Sequence, residues 1–137
     1  YSERLAKEMP GTYTDPISDF GRLSSELWRA IRLVVDTGVH SKGWTEDQAI
    51  AYFTANSPQN AETVRNEVRR YIVWPGQATS YKIGMNKILD LRAEAERELG
   101  AKFDIRGFHD AVLGGGSLPL SLLERRVRGW IAERKAA

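Results

Sequence analysis

The sequence contains no cysteine and only two histidines, His40 and His109, among its 137 residues. The absence of cysteine excludes disulfide bonds and thiolate chemistry, although it does not fix the cellular compartment. Two histidines cannot build a standard zinc site by themselves. The sequence also has no HExxH pattern and no serine in a GxSxG pattern, so the chain alone lacks two common hydrolase signatures.

The chain also lacks an excess of either charge and any long apolar run. Twenty basic and eighteen acidic residues give a net charge of +2. This balance indicates no strong field for nucleic acid, so we expect no nucleic-acid partner. No apolar run is long enough to cross a bilayer, so we expect no membrane span in this chain. No signal peptide is visible, and the localisation stays open.

What the chain does have is helical periodicity over almost its whole length. Apolar residues recur at helical spacing, and no segment alternates with a period of two for long enough to form a strand. The sequence therefore predicts an all-α fold of about six or seven helices with short loops, forming a single helical region over residues 1–137. Asp15, Thr45 and Asp104 are the expected N-caps of three of these helices.

The helix that follows Asp15 is expected to end near Asp36, with Thr37 and Gly38 forming a glycine cap. It carries two stripes. The apolar stripe, expected to face a core, consists of Phe20, Leu23, Leu27, Ile31 and Val34. The opposite stripe is polar and consists of Ser18, Arg22, Ser25, Arg29, Arg32 and Asp36. This polar stripe is either a solvated face or the lining of a cavity shared with a missing part of a longer parent, where arginine would clamp a carboxylate.

Two further residues are candidates for chemistry. Tyr81 follows the Pro75-Gly76 break in YIVWPGQATSYKIG, on the first turn of a long helix expected from Gln77 to Leu99. Its phenol is either a hydrogen-bond donor to a developing negative charge or the solvated edge of a core. His40 is expected on the loop after the glycine cap. It is either polar surface or an imidazole aimed at an anion.

Several blocks, taken in order, resemble one family. They are YSERLAKEM, RLVVDTGVHSKGW, WPGQATSYKIG, KFDIRGFHDAVL and PLSLLERRVRGWI. The chain is similar to the C-terminal portion of the bacterial "domain of unknown function 885". Members of that family are longer and carry an upstream HExxPGHH signature that resembles gluzincin zinc peptidases. The resemblance implies that the chain is a C-terminal fragment of a larger metallopeptidase-like fold, and that Glu3, in the segment Tyr1-Ser2-Glu3, is the third zinc ligand.

The resemblance also implies roles for the other candidates. His40 and Tyr81 would stabilise an oxyanion in hydrolysis of a peptide-like substrate. Arg29 or Arg32 would hold a substrate carboxylate, although either could instead pair with Asp36. Zinc would belong to the full-length parent, and this chain alone would be inactive and need no cofactor. The resemblance is compatible with a parent that is exported or periplasmic.

Two kinds of partner follow from this interpretation. One is the missing N-terminal part of the parent, and the other is a second copy of this chain, expected to cover the face exposed by that loss. The alternative function is a non-catalytic helical module that serves structure or protein interaction.

Overall fold

The computed structural model describes residues 1–136 and contains seven α-helices, with no strand among those residues. The helices are α1 (Ser2–Lys7), α2 (Pro16–Lys42), α3 (Glu46–Asn56), α4 (Ala61–Val73), α5 (Ser80–Leu99), α6 (Ile105–Leu113) and α7 (Leu120–Ala136). Single 3₁₀ turns at Gln77–Thr79 and Gly100–Lys102 precede and follow α5. The predicted all-α fold is confirmed.

The contacts divide the chain into two compact units, which meet in sequence within α5. The first unit is Tyr1–Ile83, and the second begins at Gly84. None of the helices in residues 1–136 combines the length and the apolar character required to cross a bilayer.

Several helices begin next to a residue whose side chain caps the free amides of the first turn. Asp15 accepts a hydrogen bond from the Ser18 amide at 2.9 Å. Thr45 and Gln48 form a reciprocal capping box at the start of α3. Asp104 caps α6 as expected. Helix α4 begins at Ala61, and Asn60 caps it by accepting from the Thr63 amide at 2.9 Å.

The predicted end of α2 is wrong. The helix passes through Gly38 and ends at Lys42, where Gly43 adopts a left-handed conformation with φ of 69°. Gly38 serves packing instead of capping. A Cβ atom built on it would lie 2.4 Å from the indole ring of Trp44, so the glycine lets this ring sit directly against the helix backbone.

The core of the first unit lies between α2, α3 and α4. Phe53 of α3 stacks on Tyr71 of α4 with ring centroids 6.5 Å apart. Trp28 of α2 meets Phe53 edge to face at 5.9 Å. Ile31 and Val35 belong to the same buried cluster. These contacts fix how α2 is rotated, and therefore where each of its stripes points.

The expectation that the apolar stripe of α2 faces this core is mostly wrong. Ile31 is only 3% exposed, but the other four members are between 37% and 62% exposed. We call these four, Phe20, Leu23, Leu27 and Val34, the exposed stripe. The core side of α2 lies between the exposed stripe and the polar stripe, so the polar residues turn toward α4 and the turn before α5.

The second unit packs α6 and α7 with the part of α5 that follows Gly84. Its buried side chains include Leu91, Phe108, Val127 and Ile131. The Arg126 side chain donates to the Ala111 carbonyl at 2.7 Å, which ties α7 to α6. Its remaining ion pairs are largely on the surface, for example Arg128 with Glu94 at 2.9 Å.

Candidate functional site

The polar stripe of α2 is largely shielded, so its interpretation as a solvated face is wrong. Asp36 is 4% exposed, and its carboxylate oxygens lie 3.0 and 3.2 Å from the Gly76 amide. This bond holds the Pro75-Gly76 turn against α2. The pairing of Arg32 with Asp36 that four-residue spacing allows is not formed, because Arg32 turns to α4 instead.

Arg32 is the centre of a partly buried polar network. Its Nε donates to the hydroxyl of Tyr71 at 3.0 Å, and its Nη2 donates to the Glu67 carboxylate at 3.1 Å. The Tyr71 hydroxyl in turn donates to Glu67 at 2.5 Å and accepts from the Trp28 indole at 3.1 Å. Arg70 completes the network with a 3.0 Å bond to Glu67. Every member is therefore partnered, which a buried polar group requires.

The network fixes the ionisation of Glu67. Burial alone would raise the pKa of this carboxyl, but the hydrogen bonds from Arg70 and Tyr71 and the nearby charge of Arg32 outweigh it and lower the pKa to about 2. Burial, followed by the bond to Glu67, raises the pKa of Tyr71. Glu67 is therefore an anion, and Tyr71 a neutral donor, throughout the physiological pH range.

Tyr81 lies against this network from the first turn of α5. The Arg32 guanidinium is 5.1 Å from the centre of the Tyr81 ring, within the range of a cation–π contact. Two bonds hold the adjacent backbone in place. Gln77 accepts from Arg70 at 2.6 Å, and Lys82 pairs with Glu26 of α2 at 2.8 Å. The Tyr81 side chain is about half exposed.

Glu3 joins the same face of α2 from α1. Its carboxylate accepts from Arg29 Nη2 at 3.1 Å, while Arg29 Nη1 donates to the Ser25 carbonyl at 2.9 Å. Arg29 and Arg32 are three residues apart on one helix face. Together with Ser25 and Trp28 they line a cavity of about 210 Å³.

The structure thus brings Glu3, Arg29, Arg32 and Tyr81 into one neighbourhood, which we call the arginine cluster. Two cationic side chains line its cavity. One of them, Arg29, pairs with the Glu3 carboxylate, and the other, Arg32, contacts the Tyr81 ring. A small anionic group, such as a carboxylate or an oxyanion, suits a cavity with guanidinium walls. The volume is smaller than that of most cavities that enclose a whole ligand, so the cluster alone would hold one group of a substrate.

His40 is not on a loop, because α2 continues through it. It shares the helix face of Arg32 and Asp36 but lies eight residues beyond Arg32, or about 12 Å along the axis. Its Nε2 is 2.9 Å from the Tyr71 carbonyl oxygen. Because a carbonyl can only accept, this nitrogen carries a proton. The bond ties the end of α2 to α4, and it leaves Nδ1 as the nitrogen free to meet a ligand.

Glu3 is the expected metal ligand, and its carboxylate has the right chemistry for one zinc ligand. Within residues 1–136, no three histidine, cysteine, aspartate or glutamate side chains come together as a metal site would require. Residues of this chain therefore do not fit a complete zinc site by themselves.

Sequence reasoning missed Glu67, Arg70 and Tyr71. Their spacing carried a weak signal, since Glu67 lies three residues before Arg70 and four before Tyr71 on one face of α4. Tyr71, however, occupies a position that periodicity assigns to the core. Nothing in the spacing shows that its hydroxyl meets two residues of α2.

The comparisons with known proteins agree with this fold. A crystal structure described as that of "the putative lipoprotein from Colwellia psychrerythraea" superimposes with a TM-score of 0.94 at 50% sequence identity. The match covers 97% of this chain and 23% of that chain, so this chain spans about a quarter of the solved protein. Comparison with curated proteins yields no match.

A family match identifies the chain. Residues 1–127 match the family described as "Bacterial protein of unknown function (DUF885)". This match includes all of the first unit, the arginine cluster and most of the second unit. The chain therefore belongs to the bacterial DUF885 family.

Proposed function

We propose that this chain is the C-terminal helical part of a longer zinc-dependent, peptidase-like hydrolase. The observation that supports the proposal is the arginine cluster, where Arg29 and Arg32 line one cavity. The Glu3 carboxylate pairs with Arg29, and the half-exposed Tyr81 ring lies against Arg32. The 23% coverage of the solved neighbour supports a longer protein. That neighbour's description as a lipoprotein also supports export of the longer protein, which cell fractionation would test.

In this proposal Glu3 supplies one metal ligand, and the remaining ligands and the general base come from outside this chain. When bound, zinc would supply Lewis acidity and an activated water. The bond from Arg29 would orient the Glu3 carboxylate, as partners of metal ligands commonly do. About half of the Glu3 side chain is open to contact from other parts of a longer protein.

Tyr81 is the donor best placed to stabilise negative charge in the reaction. Its hydroxyl would donate a hydrogen bond to the carbonyl oxygen of the substrate as that oxygen becomes anionic. Arg32 fixes the ring from one face, and its own position is fixed by Glu67 and Tyr71. The phenol is therefore pre-organised, which reduces the cost of ordering it during the reaction.

The other candidates have narrower roles. Arg29 and Arg32 would attract a carboxylate of the substrate into the cavity between them. His40 would act only through Nδ1, since Nε2 is bonded to the Tyr71 carbonyl.

The test is hydrolysis of a peptide library by the longer protein and by its Tyr81→Phe variant. We expect Tyr81→Phe to lower kcat by about 100-fold or more, with a much smaller change in KM, because the phenol acts mainly in the transition state. Tyr52→Phe is the control, since the Tyr52 ring packs on Trp44 with centroids 5.5 Å apart. His40→Gln keeps a nitrogen donor for the Tyr71 carbonyl and tests Nδ1 separately. Equal rates in wild type and Tyr81→Phe would remove Tyr81 from the site.

A non-catalytic helical module is the second candidate, and the exposed stripe of α2 favours it. Four large apolar side chains on one helix face are typical of a surface that packs on another protein segment. Absence of hydrolysis in the longer protein, together with intact folding of all variants, would favour this candidate over the hydrolase.

A further inference from the structure

The exposed stripe of α2 forms an apolar ridge. Phe20, Leu23, Leu27 and Val34 are spaced by three, four and seven residues, so they share one helix face. All four are at least 37% exposed, whereas Ile31 between them is buried. The ridge therefore extends along about four turns of α2, immediately beside the core of the first unit.

The ridge leads into a cavity at its C-terminal end. Val34 belongs to both, and Leu33, Trp44 and Ile83 supply the other apolar walls of a cavity of about 500 Å³. The rest of its lining is Asp36, Thr37, Lys42, Gly76 and Thr79. A ridge of i, i+3 and i+4 residues is the surface on which a second helix packs, and the cavity at its end is large enough for an aromatic or aliphatic side chain from that helix.

The comparison with the solved structure indicates what covers this surface. The same fold occurs there in a chain of which more than three quarters lies outside the match. A segment of the same polypeptide is held near the ridge at a high effective concentration, and so it competes well against a second copy or an unrelated protein. Burial of apolar surface would stabilise such packing.

We propose that a helix from the remainder of the longer chain packs along the exposed stripe of α2 and inserts an apolar side chain into the cavity between Val34, Trp44 and Ile83. The exposed stripe differs from the arginine cluster, because the stripe and the polar residues occupy opposite sides of α2. The cavity reaches Asp36 of the polar stripe but none of the four residues of the arginine cluster. The proposal depends on the family's longer chain and not on zinc or hydrolysis, so either can fail without the other.

The test is the reactivity of single cysteines toward a thiol reagent in the longer protein. The 137-residue chain has no cysteine of its own, and any cysteine elsewhere in the longer protein is replaced by serine. Leu23→Cys and Leu27→Cys report on the stripe. Val73→Cys is the matched control, since Val73 is an exposed apolar residue on α4. The reference rate for each variant is measured in guanidinium chloride.

We expect Leu23→Cys and Leu27→Cys to react about 100-fold or more slowly in the folded longer protein than in the unfolded one, and Val73→Cys to react at similar rates in both. In the 137-residue chain, the stripe cysteines should react quickly at every protein concentration. Fast reaction in the folded longer protein would overturn the proposal. Protection that already occurs in the 137-residue chain and grows with concentration would assign the stripe to a second copy, and would also overturn it.

Discussion

Two charged pairs, one from each unit, differ in how far water reaches them. In the first unit, the side chains of Arg32 and Glu67 are 16% and 20% exposed, and they share a network with Tyr71. In the second unit, the Arg128 side chain is 54% exposed where it pairs with Glu94. Water screens the second kind of pair, so it contributes little to stability and fixes no geometry. The first kind can hold a neighbouring side chain such as Tyr81 in place.

This difference bears on where a site can form. A shielded network whose members are all bonded is costly to break, so it maintains one arrangement of its side chains. The arginine cluster is built on such a network, through Arg32. The surface pairs of the second unit rearrange easily and provide no comparable support for a site.

The largest expected effect comes from removing the negative charge that the two arginines of the network share. Glu67→Gln would leave Arg32 and Arg70 without their shared carboxylate, so we expect it to lower the free energy of unfolding by about 3 kcal/mol. Glu94→Gln, which breaks a surface pair of the second unit, should cost less than about 1 kcal/mol. Urea denaturation followed by circular dichroism measures both. Equal losses in the two variants would show that the units do not differ in this way.

The second expected effect is a loss of stability at acidic pH that depends on Glu67. The folded-state pKa of Glu67 is about 2, below its unfolded value, so its stabilising contribution is present above about pH 4.5 and is lost as the pH falls toward 2. Wild type should therefore lose more stability than Glu67→Gln between about pH 5 and pH 2. Thermal unfolding at a series of pH values tests this. Parallel curves for the two proteins would mean that Glu67 does not titrate as described.

A smaller effect than that of Glu67→Gln is expected when one glycine in each unit is replaced by alanine. Gly38→Ala would place a methyl group 2.4 Å from the Trp44 ring. We therefore expect overpacking to lower the free energy of unfolding by about 2 kcal/mol, despite the better helix propensity of alanine. Gly84→Ala meets no atom within 4 Å and should stabilise α5 by about 1 kcal/mol. Differential scanning calorimetry gives both values. A stabilising Gly38→Ala would show that Trp44 moves away freely.

Local sequence was sufficient for the helix starts at Asp15, Thr45 and Asp104, because a cap and its amide partner lie within three residues of each other. It was insufficient for Gly38, whose role depends on the Trp44 ring packing against it. The same is true of the α2 stripes, since periodicity shows that one face is apolar but not which face meets the core. His40 was expected on a loop because Gly38 was interpreted as the end of α2.

Sequence analysis named four residues that lie together in the candidate site, but it did not identify the residues that hold them in place. Glu3, Arg29, Arg32 and Tyr81 come together, with Arg29 and Arg32 adjacent on one helix face. The bonds that fix Arg32 come from Glu67 and Tyr71, which lie at least 35 residues away in sequence. Such long-range partners leave no mark in the local spacing of either segment.

The central claim is that Glu3 of this chain serves a metal site completed elsewhere in a longer protein. The most direct measurement is the zinc affinity of that longer protein, determined by competition with a chelator, for wild type and Glu3→Gln. Glu62→Gln, an exposed glutamate on α4, is the control. The account predicts that Glu3→Gln weakens zinc binding by about 100-fold or more while Glu62→Gln leaves it unchanged. Equal zinc affinity in wild type and Glu3→Gln would contradict the account.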